Sequence, residues 1–219
     1  MQTIVEQFIS KSDLMQIYFR ETVELHAGNF DLNNLEQVVQ LHFKELVEMI
    51  DEYDPYTGHH LYSASEIANF LGKQLDLKLF DLAGLTIGAK MHDIGKVGIP
   101  RSILQKPGKL SASERRIIDT HVDLGYCILS HFKTPWNLQQ YALMHHERLD
   151  GSGYPHGVKG VDIPTTVRIL SIADVVESLT AERPYRHRAT LNEVIDYLHS
   201  EEGKYDVTIV KLLEGLVKV

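Results

Sequence analysis

Seven residues stand out for the chemistry they could share. His92-Asp93 and His145-His146 are adjacent pairs, and His60, His121 and Asp174 stand singly. Each lies on or at the end of a segment with helical periodicity. Imidazole and carboxylate are the donors that divalent cations take when no thiolate is offered. Neighbours on a helix point about 100° apart, so one cation rarely takes both members of a pair. Two neighbouring cations can, with a carboxylate between them. Helix bundles build such sites from inward side chains on facing helices. Five imidazoles and two carboxylates would serve two cations and leave open positions for water. The donor set suits iron, manganese or zinc without choosing among them. Taken one at a time, a His-Asp dipeptide is by chance more often an ordinary surface pair, and His-His is only slightly more telling. His26, His42, His131, His156, His187 and His199 read as scattered surface or core imidazoles.

The elements that must carry these residues read as helices throughout. Apolar positions recur at helical spacing over about 3–25, 35–51, 57–75, 79–92 and 165–181. Asp54-Pro55 interrupts the second and third of these. Ser111-Ala112-Ser113-Glu114 and Thr190-Leu191-Asn192-Glu193 have capping-box spacing, and the first should open one helix to about Ser130. Thr134-Pro135 reads as a helix start with proline at its first position, leading to about Glu147. Asp206 should cap the last helix. Residues 94–110 and 148–164, rich in glycine and proline, read as loops. The fold expected is an all-α helical bundle. Residues 1–33 read as a separate N-terminal extension, a packing or dimerisation helix, ahead of a domain over 34–219. Bulk properties narrow the partners. A net charge of −8 argues against a DNA binder, whose footprint is basic. No apolar run is long enough for a membrane span, and no signal peptide is expected at the N-terminus. The one cysteine, Cys127, is compatible with a reducing cytoplasm.

Longer patterns surround the seven residues. They include His92-Asp93-Ile94-Gly95-Lys96 and the run His145-His146-Glu147-Arg148-Leu149-Asp150-Gly151-Ser152-Gly153-Tyr154-Pro155. In order along the chain there are also Asp54-Pro55-Tyr56-Thr57 with His60, Lys106-Pro107-Gly108, His121 with Gly125, Ile163-Pro164, Ala173-Asp174 and Arg183-Pro184-Tyr185-Arg186. This series, over about residues 40–215, resembles the HD-GYP family of the HD phosphohydrolase superfamily. The resemblance implies a helical bundle with a metal centre in its core. It implies hydrolysis of cyclic di-GMP to linear pGpG, with a further step to GMP left open. The ligands it implies are His60, His92, Asp93, His121, His145, His146 and Asp174, with Asp93 bridging two divalent ions, iron or manganese. Tyr56 stands where some members place a glutamate for a third metal, so a two-metal site is expected. His59 is the competing register to His60; the Thr57-x-x-His60 spacing favours His60.

Lys96 follows His92 at i+4 and is expected to meet a phosphate oxygen in the same cavity. Asp93 and Lys96 are the catalytic pair in this reading. Arg183 and Arg186, spaced for one face, are expected to hold the ligand through guanidinium forks. Glu177 replaces a common aspartate and is expected among the substrate contacts. Ser63 stands where an arginine is usual. The resemblance allows a diguanylate cyclase domain as partner, a homodimer and a cytoplasmic setting. Three other readings stay open: an enzyme for cyclic GMP-AMP, a catalytically silent ligand-binding module, and a broader HD nucleotidase.

Overall fold

The computed structural model describes residues 47–48, 50–132, 134–181 and 188–217, with the side chains at 55, 56, 216 and 217 outside that description. The helix expected at 3–25, most of that at 35–51, the extension at 1–33, Arg183 and Arg186 lie outside the described residues. What is described is helical, with no strand among the described residues. Helix α1 spans Pro55–Gln74 and α2 Leu79–Met91. The short α3, Arg101–Leu104, precedes α4, Ala112–Asp119, and α5, His121–Leu129. Helix α6 covers Leu138–Met144, α7 Thr165–Thr180, α8 Leu191–Ser200 and α9 Val207–Val217. Tighter 3-10 turns cover Ile94–Gly98 and Gly160–Asp162.

Helix α2 is the axis of the molecule. It is apolar all round and buried continuously from Leu82 to Ala89, the mark of a central helix. Helices α1, α6 and α7 pack around it, and α5 packs on α6 and on the Ile94–Gly98 turn. Leu61, Leu71, Leu85, Ile87, Met91, Ile94 and Leu129 are fully buried in the resulting core. Because α2 runs through the middle, the chain leaves its C-terminal end inside the protein. His92 and Asp93 therefore emerge in the core rather than at the surface, at 0% and 2% exposure. Close approach of α6 depends on Gly88: a Cβ there would sit 2.4 Å from the Tyr141 ring.

Local sequence signals explain most boundaries. Proline opens α1 at its first position, and Thr57 donates to the Asp54 carboxylate one turn below, at 2.7 Å. Both capping boxes form, at Ser111/Glu114 and Thr190/Glu193. The Asp206 carboxylate accepts from the Thr208 amide at 3.0 Å, capping α9. Three boundaries differ from expectation. The helix read over 111–130 is broken at Thr120, whose hydroxyl donates back to Ile117 O at 2.6 Å, a local bond that competes with the helix. Helix α6 starts at Leu138 rather than Pro135. The Thr134 hydroxyl and the Leu138 amide both bond Trp136 O, and the indole N–H is anchored to Phe80 O. The stretch expected as loop at 94–110 holds the 3-10 turn and α3, each too short for periodicity to reveal.

The turn after Asp93 is pressed against α5. A Cβ on Gly95 would lie 1.9 Å from His121 O and 2.5 Å from the Gly125 amide. Main chain cannot yield as a flexible side chain can. Gly95→Ala is therefore expected to destabilise the chelated protein by about 2–3 kcal/mol. Gly215→Ala, where a Cβ would meet nothing within 4 Å, is expected to be neutral or stabilising by up to about 1 kcal/mol. Urea melts of the two variants check the contrast.

Candidate metal centre

Five elements deliver seven side chains to one place. His60 comes from α1, His92 and Asp93 from the end of α2, His121 from the first residue of α5, His145 and His146 from the end of α6, and Asp174 from α7. His60, His92, Asp93, His121 and His145 are buried, and His146 and Asp174 are partly so. The neighbouring histidines differ in burial: His59 is exposed while His60 is 7% exposed. The side chain of Tyr56 lies outside the described residues.

The donors fall into two groups that meet at Asp93. His60, His92 and Asp174 form one and His121, His145 and His146 the other, each with ligand atoms within 4.8 Å of one another. Asp93 turns one oxygen to each. Its Oδ2 lies 3.4 Å from His92 Nε2 and 3.7 Å from His60 Nε2. Its Oδ1 lies 3.2 Å from His121 Nε2 and 3.8 Å from His145 Nε2.

The hydrogen bonds on the far sides of the rings decide what these approaches mean. His92 Nδ1 bonds Ala89 O at 2.7 Å, His121 Nδ1 bonds Ile118 O at 2.7 Å, and His145 Nδ1 bonds Ala142 O at 2.9 Å. A carbonyl only accepts, so Nδ1 carries the hydrogen in each ring. In a neutral ring Nε2 is then a lone pair. These lone pairs point at a carboxylate, and those of His121 and His145 lie 3.4 Å from each other. Acceptor faces acceptor in a buried space, and His92 Nε2 and Asp93 Oδ1 make no hydrogen bond. Such an arrangement is costly unless a cation sits among the lone pairs. The residues present therefore fit a divalent metal, with the second-neighbour carbonyls that orient imidazole ligands already in place.

Charge within the cluster follows the same logic. Burial holds His145 well below the usual imidazole range, aided by the charges of His146 and His92. Burial likewise brings His146 down to about 3. Burial opposes charge on His60 as well, but hydrogen bonds to Asp174 and Glu177 outweigh it and push this ring up to about 9. Burial pushes Asp93 up, yet Lys96 and His92 hold it well below the usual carboxylate range. Asp174 is held low in the same way by His60.

A cavity of about 820 Å³ opens onto the cluster, lined among others by His60, Asp93, Lys96, His146, Tyr154 and Asp174. Lys96 Nζ lies 2.5 Å from Asp93 Oδ2 and reaches the cavity wall. Glu177 differs from expectation. It is 4% exposed and lies behind the cluster, where its carboxylate bonds His60 Nδ1. One helical turn beyond Asp174 on α7, it faces into the bundle and orients His60 instead of lining the cavity. Three residues inside the quoted motif had no role assigned from the sequence. Tyr154 stacks on His146 at 4.7 Å. The Glu147 carboxylate accepts from the amides of His156 and Val158, folding the 148–164 loop back. Arg148 donates to His145 O and to Ser171 Oγ, tying the His-His turn to α7. Their place beside the two histidines was the available signal.

The sequence pattern described as the HD domain matches residues 44–209. The chain is 35% identical over 176 residues to the cyclic di-GMP phosphodiesterase response regulator RpfG of Xanthomonas campestris, covering 79% of this chain and 46% of that protein. It is 39% identical over 157 residues to 3'3'-cGAMP-specific phosphodiesterase 1 of Vibrio cholerae, covering 71% of this chain and 36% of that protein. In fold it is similar to Bd1817, an HD-GYP-type protein of Bdellovibrio bacteriovorus, with a TM-score of 0.62 and 17% identity over 97% of this chain and 73% of that one. The chain belongs to the HD domain family. It spans about half or less of the length of these curated relatives.

Two outcomes are expected from this geometry. Glu177→Ala removes the partner of His60 Nδ1, so metal affinity should fall 10–100-fold with the fold retained, as read by metal titration. In the chelated protein, His145 and His146 stay neutral while unfolded imidazoles take protons below about 6.5. Stability should therefore fall as pH drops from that value toward about 3. The raised His60 acts the other way: its contribution is complete below about 6.5 and is lost as pH rises through about 9. Urea melts in chelator at pH 7.0 and 5.0 should show lower stability at the lower pH.

Proposed function

We propose that this chain is a metal-dependent phosphodiesterase that opens a cyclic dinucleotide, with cyclic di-GMP as the substrate. The observation that carries this reading is the buried pair of donor groups meeting at Asp93 beneath an 820 Å³ cavity. His60, His92 and Asp174 would hold one divalent ion and His121, His145 and His146 another, with Asp93 shared. Their nitrogen and oxygen donors, without thiolate, suit iron or manganese, and Cys127 is exposed. When bound, two such ions supply Lewis acidity that favours deprotonation of water and neutralises charge on the phosphate.

The chain's own residues then bind and orient. Lys96, held beside Asp93 at the cavity wall, offers its ammonium to a non-bridging phosphate oxygen. Tyr154 lies on the same wall; burial pushes its phenol far up, so it keeps its proton and serves as a hydrogen-bond donor. Burial of the donors excludes bulk water from their free faces. Arg183 and Arg186, which follow α7, are proposed to hold the ligand. Similarity to relatives named for cyclic di-GMP and for 3'3'-cGAMP supports the cyclic-dinucleotide class and keeps cyclic GMP-AMP as the second reading. A cytoplasmic setting, homodimerisation and docking of a diguanylate cyclase domain complete the proposal on the family resemblance. No helix among the described residues is long and apolar enough to cross a membrane.

The test is hydrolysis of cyclic di-GMP and cyclic GMP-AMP side by side, anaerobically, with iron or manganese supplied. Turnover is expected, and Asp93→Ala and His92→Ala should lose bound metal and at least about 100-fold in kcat, the scale of a lost electrostatic element. An Asp93→Ala protein with full activity and intact metal content would overturn the assignment.

A further inference from the structure

We propose that Arg115 binds the second, uncleaved phosphodiester of the cyclic dinucleotide; this rests on the function proposed above. A cyclic dinucleotide carries two phosphodiesters in one closed ring. If one is brought to Asp93, the other stays close by, inside the same cavity. Its negative charge needs a cation on the wall, away from the donor cluster. Among the described residues, the cations lining the cavity are Lys96, Lys106 and Arg115.

Two of the three are committed. Lys96 is bonded to Asp93 Oδ2 at 2.5 Å and serves the phosphate brought to Asp93. Lys106 is held by both oxygens of Glu114, at 2.7 and 2.8 Å, and Glu114 is in turn fixed by the capping box with Ser111. Arg115 forms no salt bridge among the described residues, although α4 places it next to Glu114. It lines the cavity together with Ile118 and His121. Helix α4 and the start of α5 thus present Arg115 and Ile118 to the cavity that His121 also lines. Arg115 stands on α4, six residues before His121 and across the break at Thr120. That is outside the cluster yet within the same cavity. Its charge also reaches the Tyr154 hydroxyl, which lies on His146. A guanidinium offers a planar pair of donors matched to two phosphate oxygens.

The experiment compares two substrates on the metal-loaded full chain. One is the preferred cyclic dinucleotide. The other is bis(p-nitrophenyl) phosphate, a diester with a single phosphate. Arg115→Ala should raise the KM for the cyclic dinucleotide at least tenfold relative to that for bis(p-nitrophenyl) phosphate, with kcat for the cyclic substrate nearly kept and metal content equal to wild type. Arg115→Lys should recover part of the KM. Arg116→Ala, exposed on the same helix and off the cavity lining, should behave as wild type. A matched rise in both KM values, or loss of metal, would assign Arg115 a structural role and overturn the inference. Equal KM for Arg115→Ala and wild type on the cyclic dinucleotide would overturn it while the proposed function stands. A wild type that cleaves bis(p-nitrophenyl) phosphate and leaves cyclic dinucleotides intact would overturn the proposed function, and this inference with it.

Discussion

Lone pairs forced to face carboxylates govern this molecule. The carbonyls of Ala89, Ile118 and Ala142 each take the Nδ1 hydrogen of a histidine three residues on. That choice fixes the tautomer and turns Nε2 inward. The inward nitrogens of His121 and His145 then share a buried space with Asp93 Oδ1. Hydrogen bonding among these atoms cannot satisfy them, and burial prevents water from doing so freely. A fold that accepts this arrangement holds stability back in exchange for a place where cations are strongly favoured. Helix α2, buried nearly throughout, is the structural means by which His92 and Asp93 arrive inside.

The sequence made the helical class and the donor set legible for separate reasons. Periodicity revealed α1, α2 and α7 because each is long and has a consistent apolar pattern. Capping boxes located the starts of α4 and α8 because their signal lies in four adjacent residues. The gathering of His60, His121 and Asp174 was legible only through the longer motifs around them. Nothing in the spacing of three residues separated by tens of positions shows that they meet. The break at Thr120 and the delayed start of α6 were not legible. Each depends on one side-chain bond, to Ile117 O and Trp136 O respectively, and such bonds leave no periodic trace.

Glu177 illustrates a different limit. Standing where the family pattern has an aspartate, it was expected among the substrate contacts, but a pattern does not tell which side of a ligand a neighbour occupies. The structure puts it behind His60. Glu147 and Arg148 show the reverse. Lying beside His145 and His146, they contact no donor space directly, yet they bind the long loop and the His-His turn to the rest of the bundle. The motif is thus in part a packing device: two residues point to the cluster, and the next two fasten the chain that carries them.

The orienting partners also differ in how they are inherited. For His92, His121 and His145 the partner is main-chain carbonyl, present whatever residue the gene specifies there. For His60 it is the side chain of Glu177. Drift at Ala89, Ile118 and Ala142 can alter packing while leaving those three rings aimed, whereas a single codon controls the aim of the fourth. Divergence among descendants of such a chain would therefore show itself first at His60, while His92, His121 and His145 stay aimed by main-chain carbonyls.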